Sequence, residues 1–141
     1  MNYPIEELDN EWTDDGTMPD NVETLADAVV GHRIVDAKKT DVPRRWSKDM
    51  KEEAFVITLD NGKQVIMRNT NDCCAYAELE DFFLDPSSVD HMIMGVGTTD
   101  GYSTWHIYAD FGDIMKLQVG WSAGNPFYYG YGFHIDVEDM F

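Results

Sequence analysis

The sequence predicts an α+β fold: a curved antiparallel β-meander of about six to seven strands with two short helices packed on it. Three observations carry this. From His91 to Val137 apolar residues alternate with period two through four consecutive runs separated by turn residues. A further pair of alternating runs flanks Asp60-Asn61-Gly62. Two other stretches, Val22–Val30 and Asp72–Leu84, space their apolar residues as helices do.

Residues 1–20 are acidic, dotted with Pro and Gly and without periodicity, which reads as a partly mobile N-terminal arm. Residues 21–141 read as a single domain. Asn21 is the expected N-cap of the first helix, Gly31 its stop, and Val22, Leu25, Ala28 and Val29 its buried stripe. His32–Lys39 follows as an edge strand, because Ile34 alternates with charge and lysines suit an edge. Residues 40–51 then form a basic loop centred on Trp46. A Trp among Arg and Lys suits base stacking, but docking onto the domain's own carboxylates is the better reading in so acidic a chain.

Glu53–Asp60 and Lys63–Thr70 make a hairpin. A three-residue Asp60-Asn61-Gly62 loop opposes Ile57 to Val65 and Phe55 to Met67, whereas a two-residue Asn61-Gly62 turn mixes apolar with polar partners. Asp72–Leu84 is the second helix, capped by Asp72, burying Ala75, Leu79, Phe82 and Phe83, and stopped by Pro86. In the meander, a two-residue Asp100-Gly101 turn opposes Val96 to Trp105, Met94 to Ile107 and Met92 to Ala109. Asp110-Phe111-Gly112 fits a three-residue loop with a bulge, opposing Ile107 to Met115 and Trp105 to Leu117. Val119 and Trp121 continue the alternation, and a loop at Ser122–Phe127 leads into Tyr129, Tyr131, Phe133, Ile135 and Val137.

The opposite face of these strands carries Gly95, Gly97, Gly120, Gly130 and Gly132, with Tyr102, His106, Tyr108, Tyr128 and His134 around them. Glycines inside strands mark bends or close approach by another backbone. A strongly coiled sheet, or a seat for the protein's own helix or arm, is the commoner cause. An aromatic-rimmed surface for a partner is the functional one.

The formal net charge is −17 and it is segregated. Residues 33–51 hold seven basic residues against three acids, a local +4, so the remainder carries −21. Such a field repels nucleic acid and membranes and favours basic partners. No apolar run is long enough to span a bilayer, and the acidic start does not resemble a signal peptide. A cytoplasmic protein is expected. Cys73 and Cys74, being adjacent, close no useful loop and are expected as free thiols. At a helix N-terminus they have the setting of reactive thiols, but no base stands at motif spacing, so buried small hydrophobes are the plainer reading. The histidines and carboxylates complete neither a zinc motif nor a calcium loop, and no catalytic constellation, metal or cofactor is expected.

The segments LDNGKQVIM, NDCCAYAELED, DHMIMGVGTTDGYSTWHIYAD and GWSAGNPFYYGYGFHIDV resemble a family of small uncharacterised proteins from actinobacteriophages and actinobacteria. The resemblance covers roughly the last two thirds of the chain, excluding the arm and the basic loop. That family has no known function, so the resemblance transfers no catalytic residue. It implies a context: a phage-encoded accessory protein made in a bacterial cytoplasm. The residues alone point first to a non-enzymatic module that binds a host protein. The alternative is an acidic decoy that imitates DNA and captures a nucleic-acid-binding protein. An enzyme resting on Cys73 or Cys74 comes third, and the oligomeric state stays open.

Overall fold

The computed structural model describes residues 17–71, 75–122 and 132–139. Among them one helix, α1 (Met18–Val29), and nine strands form two antiparallel sheets. The four-stranded sheet takes the order β1 (Ile34–Arg44), β2 (Ser47–Leu59), β3 (Lys63–Arg68), β9 (His134–Asp139). The five-stranded sheet takes the order β4 (Thr70–Asn71), β5 (Tyr76–Leu84), β8 (Gly112–Ser122), β7 (Thr104–Ala109), β6 (Gly95–Thr99). The architecture is thus α+β, with two sheets in place of a single meander and one helix among the described residues.

The sheets share one core. Phe55, Ile57, Leu59, Val65 and Met67 from the four-stranded sheet join Trp105, Ile107, Met115, Leu117 and Val119 from the five-stranded one. The Phe55 and Phe82 rings meet across the layers at 4.7 Å. Met18, Val22, Leu25 and Val29 of α1 complete the cluster, as their three-four spacing requires. At the sheet edges Lys39 Nζ donates to the Glu80 carbonyl at 2.6 Å.

The helix begins three residues before the expected cap, after Thr17, and Asn21 serves another purpose. Its side chain accepts from the Phe133 N–H (2.8 Å) and donates to the Phe133 carbonyl (3.0 Å), pinning α1 to the start of β9. Gly31, at φ +85°, ends the helix as expected. The β2–β3 hairpin has the expected register, Phe55 to Met67 and Ile57 to Val65, with Gly62 at φ +81°.

Several expectations are corrected. Residues 40–51 are not a loop: β1 and β2 continue through them as one long hairpin that turns at Arg45-Trp46. Asp72–Leu84 is not a helix, because residues 76–84 form β5, antiparallel to β8. A bulge between Leu79 and Asp81 inserts one residue, so the inward side chains Ala77, Leu79 and Phe82 acquire a two-then-three spacing that imitates a helix. The expected cap Asp72 lies outside the described residues. The β6–β7 register is Val96 to Ile107 and Thr98 to Trp105, two residues from the expected pairing. Met92 and Met94 therefore lie before the strand and are exposed, while Ile93 enters the core. The β7–β8 pairs Ile107–Met115 and Trp105–Leu117 stand as expected, with the bulge falling at Ile114 rather than at Gly112. The last strand does not continue the meander but crosses to pair with β3, which puts His134 in the other sheet.

Candidate functional site

The outward face of the five-stranded sheet holds Gly95, Gly97, His106, Tyr108 and Gly120, half of the expected glycine-face residues, and the register lays them out in rows. Phe83, Lys116, His106 and Gly97 stand side by side across β5, β8, β7 and β6. The next row towards one end of the sheet holds Asp113, Tyr108 and Gly95.

His106 is at the centre and is 5% exposed. Its Nδ1 lies 2.9 Å from Asp113 Oδ2 and its Nε2 lies 2.8 Å from Thr99 Oγ1. A carboxylate can only accept, so Nδ1 presents a proton to Asp113, while Nε2 is paired with the Thr99 hydroxyl. Lys116 Nζ, expected opposite His106, is 3.9 Å from Asp113 Oδ2. A hydroxyl, an imidazole and a carboxylate in series is the order that activates a nucleophile. The groove of about 440 Å³ on this face is nevertheless lined by Phe83, Asp113, Lys116 and Gln118, not by Thr99 or His106. It meets the carboxylate end of the series, away from the hydroxyl that would attack. The arrangement fits a buried histidine that ties β7 to Thr99 of β6 and Asp113 of β8.

The glycines are covered from within the chain. The Tyr108 ring lies across Gly95, the Glu80 side chain across Gly120, and Thr17 and Asn21 of the α1 N-terminus across Gly132. Each occupies the space a β-carbon would need, which accounts for those glycines as seats for the protein's own side chains. Tyr102 is wholly buried in the β6–β7 turn and is not on a surface. His134 is exposed on β9, remote from His106 in the sheet order. Tyr128, Gly130, Cys73 and Cys74 lie outside the described residues.

One end of this sheet remains open. Phe83 is 56% exposed, Met94 57%, Phe111 50% and Met92 45%. The Phe111 ring meets His91 edge-on at 4.5 Å, and the Met94 N–H donates to the Tyr108 carbonyl at 2.8 Å. The β7–β8 turn and the segment before β6 thus close together at the Tyr108 end. Sequence reasoning assigned Phe83, Met92 and Met94 to the core, and missed Thr99 and Asp113. The His106–Lys116 register contained the signal for Asp113, which sits three residues before Lys116 on the same strand.

Among the described residues no three His, Cys, Asp or Glu side chains group to hold a metal ion. No described helix is long and apolar enough to cross a membrane. No curated protein and no solved structure matches the chain. A family model, described as a domain of unknown function (DUF7448), matches residues 27–135, and the chain belongs to that family.

Proposed function

We propose that this member of the DUF7448 family is a non-enzymatic interaction module that docks another protein at the open end of the five-stranded sheet. The observation that carries this is the exposure of Met92, Met94 and Phe111 where the segment before β6 meets the β7–β8 turn, with Phe83 exposed on β5 of the same sheet. Single exposed apolar side chains are ordinary, but a group at one end of a sheet marks an interaction surface. Methionine suits such a surface because its unbranched thioether adapts to the partner. Half-buried Tyr108 extends the patch, and Lys116 and Asp113 give it a polar rim. The −21 carried outside residues 33–51 favours a protein over nucleic acid. The resemblance to phage and actinobacterial proteins makes a host protein, met in the bacterial cytoplasm, the natural partner.

The test is a tagged pull-down from nuclease-treated host lysate with wild type and with a Met94→Glu, Phe111→Glu variant. Washes at about 0.1 M and about 0.5 M salt shorten the Debye length by roughly half. The expected result is a protein that survives the stronger wash on wild type and is absent from the variant. Capture equal on both proteins would overturn the assignment of the surface. A nucleic-acid-binding protein lost at high salt from both would overturn the reading in favour of an acidic DNA-imitating decoy.

A further inference from the structure

The tip of the β1–β2 hairpin folds over the outward face of the four-stranded sheet, remote from the docking surface proposed above. Arg68 on β3 forms the floor: its Nη2 donates to the Pro43 carbonyl at 3.2 Å. Its Nη1 bonds Asp136 Oδ2, and its Nε lies 3.0 Å from Glu52 Oε1. Arg45, on the tip, reaches the same Asp136 carboxylate at 3.3 Å. These contacts hold the tip over the sheet and leave two clefts that share Arg45.

The larger, about 650 Å³, is lined by four cationic side chains, Arg44, Arg45, Lys48 and Arg68, against two carboxylates, Asp136 and Glu138. Asp136 is already shared by two guanidiniums. Among the described residues Arg44 and Lys48 have no carboxylate partner, and Arg44 Nε is buried with no hydrogen-bond acceptor. A buried donor without an acceptor is unfavourable unless a ligand supplies one. The second cleft, about 570 Å³, has Trp46 as a wall and Asn69, Asn71, Glu52 and His134 around it. The Arg44 guanidinium sits 5.5 Å from the Trp46 ring centroid, yet the indole remains 71% exposed.

We propose that these paired clefts bind a nucleoside phosphate, the base stacking on Trp46 and the phosphates taken by Arg44 and Lys48. An exposed indole beside unpaired cations is the pairing that base and phosphate together require. The ligand is small. At physiological salt the cationic excess acts over a Debye length of about 8 Å. A long polyanion would extend from it into the field of the remaining acidic residues. Asn69 is partly committed, accepting from the Leu79 N–H at 3.1 Å. That leaves its amide N–H₂ and the Asn71 side chain to meet the edge of a base.

The experiment is titration calorimetry of the full chain with ADP, pyrophosphate, adenosine and a single-stranded oligonucleotide of roughly 20 bases, a length beyond one stacking site. ADP is expected to bind. Trp46→Ala should weaken ADP by at least about fivefold, the lower end of a stacking contact, and leave pyrophosphate unchanged. Arg44→Ala with Lys48→Ala should abolish both. Trp46 and Lys48 are exposed, and unaltered thermal unfolding of each variant shows that the loss is one of binding. Absence of ADP binding to wild type, or binding indifferent to both variants, overturns the proposal. Adenosine binding as tightly as ADP overturns the phosphate role, and an oligonucleotide outcompeting ADP overturns the restriction to a small ligand.

Discussion

The outward faces of the two sheets each bury one ionisable side chain almost completely, and they satisfy it in different ways. On the four-stranded sheet Arg68, 5% exposed, keeps a full charge and is met by Glu52 and Asp136. On the five-stranded sheet His106, equally buried, is held by the Thr99 hydroxyl at one ring nitrogen and the Asp113 carboxylate at the other. Guanidinium cannot shed its proton, so the Arg68 face must keep carboxylates close, and the hairpin tip is drawn in with them. His106 finds both of its partners within its own sheet, on the two strands beside it. Its face can stay thin and glycine-rich, which leaves Phe83 and its neighbours uncovered.

The largest break in this comparison should come from Arg68→Met, which strands two partly buried carboxylates. A loss of about 3 kcal/mol is expected, the lower end for a broken buried pair because Arg45 still answers Asp136. Urea unfolding measures it, and adding Glu52→Gln should recover part of the loss. A cost below about 1 kcal/mol would show that the cluster behaves as a surface pair. Arg45→Ala, on the same carboxylate but half-exposed, should cost less than about 1 kcal/mol by the same measurement.

His106→Ala should cost about 1–3 kcal/mol, because Asp113 and Thr99 lose their shared partner and Asp113 Oδ1 already has no hydrogen bond among the described residues. His106→Gln, which keeps an acceptor and a donor on one side chain, should lie between that variant and wild type. If both variants cost the same, shape and not hydrogen bonding holds this site.

The same contrast explains what could be read in advance. Period-two alternation assigns a strand's faces but is blind to a shift of two residues. The β6–β7 hairpin was therefore placed on the correct face in the wrong register. Its actual loop depends on Asp100, Gly101 and Tyr102, all at positive φ. It is held by indole bonds, a local one from Trp105 Nε1 to the Tyr102 carbonyl and a distant one from Trp121 Nε1 to the Gly101 carbonyl, both 2.9 Å. No local rule announces bonds of that kind. The hairpin at residues 40–51 was hidden for another reason: its distal strands face solvent on both sides at several positions, so charge masks the alternation. Docking of the basic segment on the domain's own carboxylates was expected from charge alone; Arg45 meets Asp136 in this way, while Arg44 and Lys48 have no carboxylate partner among the described residues and Trp46 stays exposed. The glycine face was legible as a face, but whether it was open was not, because Tyr108, Glu80, Thr17 and Asn21 reach it from other elements or along the strand.

The smallest effect belongs to Asp85, an exposed counterpart of these two clusters. The Ser87 hydroxyl (2.7 Å) lowers its carboxyl from the ordinary 3.8, helped by the Ser88 hydroxyl (2.8 Å) and the Ser87 N–H (3.0 Å). All three donors prefer the charged form, which closes the turn that ends β5. A folded-state value below the unfolded one makes a contribution that is complete above the unfolded value and fades as pH falls through the folded one. Asp85→Asn should therefore be slightly less stable than wild type at about pH 7, with the gap closing below about pH 4. Chemical unfolding of both proteins across that range reads the gap directly. A gap that persists at about pH 2 would mean that the turn depends on the shape of the side chain and not on its charge.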